Sequence, residues 1–375
     1  MLLTNATLVL PDCTLHGTIE VTHGRITHIQ PGRSHLPGAI DCAGEFVLPG
    51  AVDLHTDNLE RQVNPRTNAR WPSRSALVAH DAQCAAAGVT TVFDALCVGD
   101  LGFDEDRSQT CIDGVADLDA LAPTGLLKAE HFLHLRCEVP APGMPELLDR
   151  FADHPQVRMV SLMDHTPGIG QYGDLARYRA LRRGDGQSEQ EIDARIGFLQ
   201  ERRGRLRASQ RRGLIARLAG SPAVLASHDD RTVEEVTENV ADGIFVSEFP
   251  VTQAAAAAGR AAGMRVIAGA PNLVRGGSHT GNIAAADLVR AGLVDALASD
   301  YVPCSLIEAA FALAAAGLLS LPHAVALATE NPARMAGLDD RGALAPGQRA
   351  DLLRLRVHEG QPVVRAVWRE GERVI

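Results

Sequence analysis

Apolar positions along this chain follow two rhythms. Near the start, residues 2–10, 18–22, 25–30 and 39–42 are short β-forming runs separated by turn signals at Pro11-Asp12, Gly17, His23-Gly24 and Pro31-Gly32, and each predicts a strand. The far end repeats the pattern: beyond Gly342, residues 350–353, 363–368 and 373–375 again predict strands. Two β-rich ends around a long middle predict that they pair into one accessory sheet. The middle reads differently. An apolar run at 47–54, broken by Pro49-Gly50, is followed by runs at 89–96, 131–138, 158–165, 223–228, 243–249, 265–270 and 296–300. Helical patterns lie between most of them, at 75–87, 145–152, 233–239, 253–262 and 284–291. Eight strand-helix alternations predict a parallel (β/α)8 barrel with its active site at the C-terminal strand ends. Residues 174–220, dense in Arg, Glu and Gln, are too long for a plain connection and predict a helical insertion. A solvated hairpin is its simplest role; an arm for a homodimer or a lid over the site is the other.

The polar residues that close these strands supply the candidate chemistry. His55 and Asp57 are two apart, so on a strand they share a face and converge on one point. Glu138 closes the third strand, His165 the fourth, His228 the fifth and Asp300 the eighth. A single polar strand end is commonly a satisfied hydrogen-bonding residue. Six metal-competent residues, each at the end of a barrel strand, point to a metal site.

Composition narrows the class. With 46% apolar and 22% charged residues the chain reads as an ordinary globular protein. Seven cysteines without a CxxC pair suggest neither a disulfide framework nor a zinc ribbon, and a reducing cytoplasm is the simplest location. No apolar stretch approaches a membrane span, and the first residues lack the pattern of a signal peptide. A formal charge of -10 argues against nucleic acid as a partner, while leaving room for a small anionic substrate beside bound cations. Lys128 is the single lysine, so the cationic side chains are otherwise arginines.

The run reading LPGAVDLHTD resembles the first barrel strand of the amidohydrolase superfamily, with HxD where that superfamily commonly has HxH. The text TENPARMAGLDDRGALAPGQRADLL resembles the passage from the last barrel helix into the β domain of the same superfamily. HTDNLE followed by NPR, then DHTPG at 164–168 and NLVRGG at 272–277, are similar to the PhnM family, the diphosphatase of the carbon-phosphorus lyase pathway. The resemblance implies the amidohydrolase fold: a distorted TIM-type α/β barrel over 49–339 and a small composite β-sandwich from 1–48 and 340–375. Many members bridge two metals with a carboxylated lysine, and Lys128 lies ahead of its strand, so a carboxylate is expected instead.

The implied cofactors are two divalent metal ions, zinc first, with manganese and iron suited by the same ligands. His55, Asp57 and Asp300 would hold one ion and His165 and His228 the other, with Glu138 as the bridge. The sixth strand ends on Glu248 rather than the usual His, so the second ion relies on His165 or draws on Glu248. Asp300 would take the proton of the attacking water. Arg61, Arg66, Arg136, His134, Arg275 and His279 are the expected substrate-binding residues, because arginine forks and glycine-rich backbone suit a polyphosphate. The implied reaction is metal-dependent cleavage of a phosphoric anhydride, α-D-ribose 1-methylphosphonate 5-triphosphate to the 5-phosphate and diphosphate. The same donors would also serve a deacetylase or deaminase acting on an amide or ring amidine. A non-catalytic assembly subunit on this fold would have lost donors, and every position here keeps one.

Overall fold

A computed structural model describes all residues of the chain except 67–68, 103–105 and 279. The parallel barrel is present. Its strands are β6 (Ala51–Thr56), β7 (Val89–Val98), β8 (Glu130–Glu138), β9 (Val157–Met163), β10 (Val224–His228), β11 (Val246–Glu248), β12 (Arg265–Gly269) and β13 (Ala296–Ala298). They are hydrogen-bonded side by side in chain order from β6 to β13. The apolar runs are continuous because parallel strands are covered on both faces. Leu54, Phe93, Phe132, Met159, Ile267 and Ala298 fill the barrel interior. Leu96, Leu133, Leu135, Val160 and Leu162 face the surrounding helices.

The barrel closes between its first and last strands through a bridge from Thr56 to Asp300. Asp300 N–H donates to His55 O at 3.0 Å, and Asp57 N–H donates to Asp300 O at 2.9 Å. The seam is therefore made by the backbone of candidate site residues.

The accessory sheet uses β1 (Leu2–Val9), β2 (Thr14–Thr22), β3 (Arg25–Pro31), β4 (Ile40–Asp41), β5 (Phe46–Pro49), β14 (Leu352–His358), β15 (Gln361–Arg369) and β16 (Glu372–Arg373). It is one eight-stranded sheet in the order β16-β15-β14-β5-β1-β2-β3, with β4 beside β1. Leu3, Ile19, Ile26, Val47, Leu352 and Trp368 share a core drawn from both ends of the chain. Buried Arg349 links the sheet to the barrel by contacting both Asp351 and Glu130.

Two features depart from the sequence expectation. The run at 47–54 serves two sheets: β5 joins the accessory sheet, and β6 enters the barrel after Gly50. A Cβ at Gly50 would lie 2.2 Å from Thr90 Oγ1, so no larger residue fits between the two sheets without displacing β7. The connection from β7 to β8 also carries an unexpected helix. In chain order the helices up to the long insertion are α1 (Asn58–Val63), α2 (Ser73–Ala86), α3 (Arg107–Leu121), α4 (Met144–Phe151), α5 (Leu175–Gly184) and α6 (Glu189–Arg217). The unexpected one is α3, whose N-cap Asp106 accepts from Gln109 N. The insertion itself is α5 plus α6, the latter started by a Ser188–Glu191 capping box. Among the described residues no helix is long and apolar enough to cross a membrane.

A buried polar chain pins α2 to the barrel wall. Asn58 Nδ2 donates to His80 Nδ1 at 3.0 Å, and His80 Nε2 donates to Asp94 Oδ1 at 2.8 Å. His131 donates from both ring nitrogens, to Asp94 Oδ2 at 2.9 Å and to Asp81 Oδ1 at 3.2 Å. Burial opposes the charge on this imidazole, but the flanking Asp94 and Asp81 outweigh it and raise the His131 pKa from 6.5 to about 9. A raised folded-state pKa stabilises fully below the unfolded value of 6.5 and loses that contribution as pH rises through about 9. The contribution is on the order of 3 kcal/mol. His131→Asn is expected to lower the urea midpoint near neutral pH and to flatten its decline between about pH 7 and about pH 10. Equal declines in variant and parent would show that His131 is not the titrating group.

Candidate active site

Three imidazoles meet above the C-terminal mouth of the barrel, each oriented by a carboxylate behind it. At the end of β6, His55 Nδ1 donates to Glu248 Oε1 at 3.2 Å. At the end of β10, His228 Nδ1 donates to Glu248 Oε2 at 3.3 Å. Two residues past β9, His165 Nδ1 donates to Glu138 Oε2 at 2.5 Å, while its backbone N–H donates to Glu138 Oε1 at 2.9 Å. A carboxylate on Nδ1 fixes the tautomer and leaves the Nε2 lone pair for another partner. The Nε2 atoms of His165 and His228 lie 3.9 and 3.7 Å from Asp229 Oδ2.

Carboxylates complete the group. Asp229, at φ 59°, and Asp300, at φ 55°, both adopt the left-handed backbone region just after their strands. That region costs a non-glycine residue energy, and here it turns both side chains back over the barrel mouth. Burial pushes the Asp229 pKa up to about 7, against the pull of His165. Burial, reinforced by the neighbouring Asp57 charge, holds the Asp300 carboxyl well above the usual range. Burial also lowers His228 to about 3 and His55 well below 6.5. His165 differs: burial opposes its charge, but Glu138 and Asp229 outweigh burial and raise its pKa. Neutral His55 and His228 beside carboxyls that retain protons form a donor set that a cation would complete, displacing those protons and the one on His165.

Buried atoms lacking partners point the same way. His55 Nε2 and Asp57 Oδ1 are both enclosed and have no hydrogen-bond partner among the described residues. Atoms of this kind are costly unless something fills the gap. A divalent cation suits both, since imidazole nitrogen and carboxylate oxygen are its ordinary ligands. The His80, Asp94 and His131 group offers a control. Its atoms are equally close, but every ring nitrogen is already hydrogen-bonded, so it needs no ion.

Most of the strand-end residues named from sequence assemble here, with some redistribution. Asp57, His165, His228 and Asp300 line one cavity of about 300 Å3, and His55 lies beneath it at 0% exposure. Glu138 meets His165, whose backbone N–H and ring engage its two oxygens. Glu248 orients two imidazoles at once. His134 lies buried against the cluster rather than on the cavity lining, its ring 5.0 Å from that of His55 and its Nε2 3.7 Å from Glu248 Oε2, and it is held by Leu54 O and Ser161 Oγ at 2.9 Å each. Arg136 and Arg275 line the cavity. Arg61 donates to Tyr301 O at 2.5 Å, Arg66 is exposed in a bridge with Ala69, and neither lines it. His279 falls outside the described residues.

The sequence reading missed Asp229, adjacent to His228, and Arg107 at the start of α3, which also line the cavity. The text Asp106-Arg107-Ser108-Gln109 carries an N-cap followed by Gln three residues later, the signal that would have placed α3 and its first residue.

An eight-stranded barrel, a sheet shared by the two termini and a histidine-carboxylate cluster at the strand ends define an amidohydrolase-type enzyme. A family model described as "Amidohydrolase family" matches residues 215–375. The α-D-ribose 1-methylphosphonate 5-triphosphate diphosphatase of Escherichia coli (strain K12) is 39% identical over 381 residues, covering 100% of both chains. The chain belongs to the PhnM family of the amidohydrolase superfamily. Among solved structures, 5-methylcytosine deaminase from Klebsiella pneumoniae matches with a TM-score of 0.65 at 17% identity, covering 100% of this chain and 98% of that one. N-acetyl-D-glucosamine-6-phosphate deacetylase from Mycobacterium smegmatis matches with a TM-score of 0.64 at 19% identity over 100% of both. These two likenesses concern the fold.

Glu138→Gln keeps the shape behind His165 but replaces an ionised acceptor. It is expected to weaken retention of a divalent cation roughly 10- to 100-fold, read by competition with a chromogenic chelator. Unchanged retention would mean that His165 is oriented without that charge.

Proposed function

We propose that this protein is a metal-dependent diphosphatase that hydrolyses α-D-ribose 1-methylphosphonate 5-triphosphate to the 5-phosphate and diphosphate. The observation that carries this reading is the full-length 39% identity to the relative of that name, combined with a donor cluster opening onto a cavity lined by guanidinium groups. Two divalent cations, zinc first, are the cofactors we assign. His55, Asp57 and Asp300 would hold one, and His165, His228 and Asp229 the other. When bound, such ions lower the pKa of a water and offset charge on the phosphoryl group under attack.

The protein's own groups perform the remaining tasks. Asp300 is held by three seam hydrogen bonds: its N–H to His55 O, and its carbonyl accepting from Asp57 N and Thr56 Oγ1. Its carboxylate is thereby fixed over the barrel mouth, where we assign it to receive the proton of the attacking water. An oxygen–phosphorus bond forms at the phosphorus nearest the ribose, the bond to the bridging oxygen breaks, and diphosphate leaves with its electron pair. Phosphoryl transfer asks little more of a protein than in-line positioning and charge stabilisation. Glu248 and Glu138 contribute by keeping three imidazoles in one tautomer and orientation.

Amide or amidine hydrolysis on the same donors is the rival chemistry. Arg136 and Arg107 on the cavity wall speak against a neutral ring or acyl substrate and for an anionic one. Asp300→Asn is expected to lower kcat for diphosphate release on the order of 100- to 10,000-fold. Metal content by elemental analysis and the products from a nucleoside triphosphate decide it. Retained turnover with metal still bound would remove Asp300 from the proton transfer, and ammonia or acetate release without diphosphate would favour the rival.

A further inference from the structure

The cavity is chemically lopsided, and the lopsidedness orients a substrate. One wall carries two guanidinium groups near Asp57. Arg136, on β8, is 5% exposed, yet among the described residues its side-chain hydrogen bond, Nη1 to Asp57 Oδ2, is long at 3.4 Å, and its buried Nε has no partner among them. A guanidinium presents five N–H donors, so most of this group's capacity is unmet where water is scarce. Arg107 stands beside it. Glu60, buried on α1, accepts from Arg107 Nε at 2.8 Å and from Nη2 at 2.5 Å, and Nη2 lies 4.0 Å from Asp57 Oδ2. Glu60 engages that edge of the fork with one oxygen and so sets the side chain's direction into the cavity.

A separate stretch of the lining, after β12, brings neutral groups to the cavity. Ser278 Oγ and Thr280 Oγ1 are 2.9 Å apart, and Asn282 Nδ2 donates to Thr280 Oγ1 at 2.9 Å. Arg177, from the insertion helix α5, holds this loop through Thr280 O at 2.7 Å. Hydroxyls and an amide both donate and accept, which matches the vicinal hydroxyls of a sugar, whereas guanidinium forks only donate and match phosphate oxygens. Arg275, on the neutral side, is exposed at the rim.

We infer that Arg107 and Arg136 form the diphosphate subsite, with Glu60 as the positioning residue of Arg107, and that the wall of Ser278, Thr280 and Asn282 receives the sugar. This rests on the triphosphate hydrolysis proposed above. Diphosphate is accordingly both the leaving group and a product inhibitor held at the α3 side of the cavity, and the sugar end departs past the loop clasped by Arg177.

The test is the affinity of inorganic diphosphate for the metal-loaded protein, by calorimetry and as an inhibition constant, in the parent and in Arg107→Gln, Arg107→Lys, Glu60→Gln and Arg275→Gln. The expected result is at least a tenfold loss of diphosphate affinity in Arg107→Gln, with partial recovery in Arg107→Lys and little change in Arg275→Gln. Glu60→Gln is expected to give a smaller loss, with a raised KM and a nearly unchanged kcat. Melting temperatures identify any variant that has merely lost its fold, and Arg107→Lys keeps the test usable if Arg107→Gln does not fold. Diphosphate affinity that depends on Arg275 and not on Arg107 would overturn the orientation while leaving the diphosphatase reading in place. Arg107-dependent diphosphate binding with no diphosphate release from any triphosphate would leave the subsite standing and overturn the reaction.

Discussion

The seam between β6 and β13 is the constraint on which this structure turns. Asp300 N–H to His55 O and Asp57 N–H to Asp300 O are the bonds that bridge the first strand to the last. Buried Asp53 reinforces the join, its Oδ1 accepting from His55 N at 3.3 Å and from Ser299 N at 3.1 Å. The residues that close the barrel are the ones that present His55, Asp57 and Asp300 to the cavity. Barrel closure and site assembly are thus one event, and the left-handed backbone of Asp300 is tolerated because three hydrogen bonds over-determine it.

Around that seam the protein places charge in pairs of opposite design. On the outer wall, His131 is a cation held between two carboxylates, every ring nitrogen of His80 and His131 is hydrogen-bonded, and the result is a join between α2, β7 and β8. At the barrel mouth burial keeps His55 and His228 neutral while Glu138 and Asp229 raise the pKa of His165, the three rings are supported from behind by Glu248 and Glu138, and the Nε2 atoms of His165 and His228 face Asp229. The first arrangement is complete in itself. The second leaves His55 Nε2 and Asp57 Oδ1 buried without a hydrogen-bond partner among the described residues, a gap that a cation would fill.

Fold alone leaves the chemistry open, since the solved neighbours of similar shape are named as a deaminase and a deacetylase. Discrimination within the superfamily comes from what surrounds the shared donors. Here that surrounding includes the guanidinium groups of Arg107 and Arg136 and the hydroxyls and amide of Ser278, Thr280 and Asn282.

Reading strands from the sequence succeeded where burial on both faces forces long apolar runs, as at Val89–Val98, and where a polar residue abruptly ends such a run, as at His55, His228 and Asp300. Local pattern failed where an element is short or shared. α3 escaped notice because its apolar face is weakly marked, and Arg107 escaped with it. Pro49-Gly50 signalled a break, but not that the two halves enter different sheets. The eight-strand architecture, the pairing of the two termini and the positions of the polar residues at the strand ends were thus determined by the sequence itself, because they follow from periodicity and from residues a few positions apart. Tertiary structure alone decided the partners: that Glu138 meets His165, that Glu248 serves two imidazoles, and that Asp229 joins the group. Those outcomes depend on side chains brought together from remote strands and on left-handed turns at the strand ends, and one-dimensional spacing records neither.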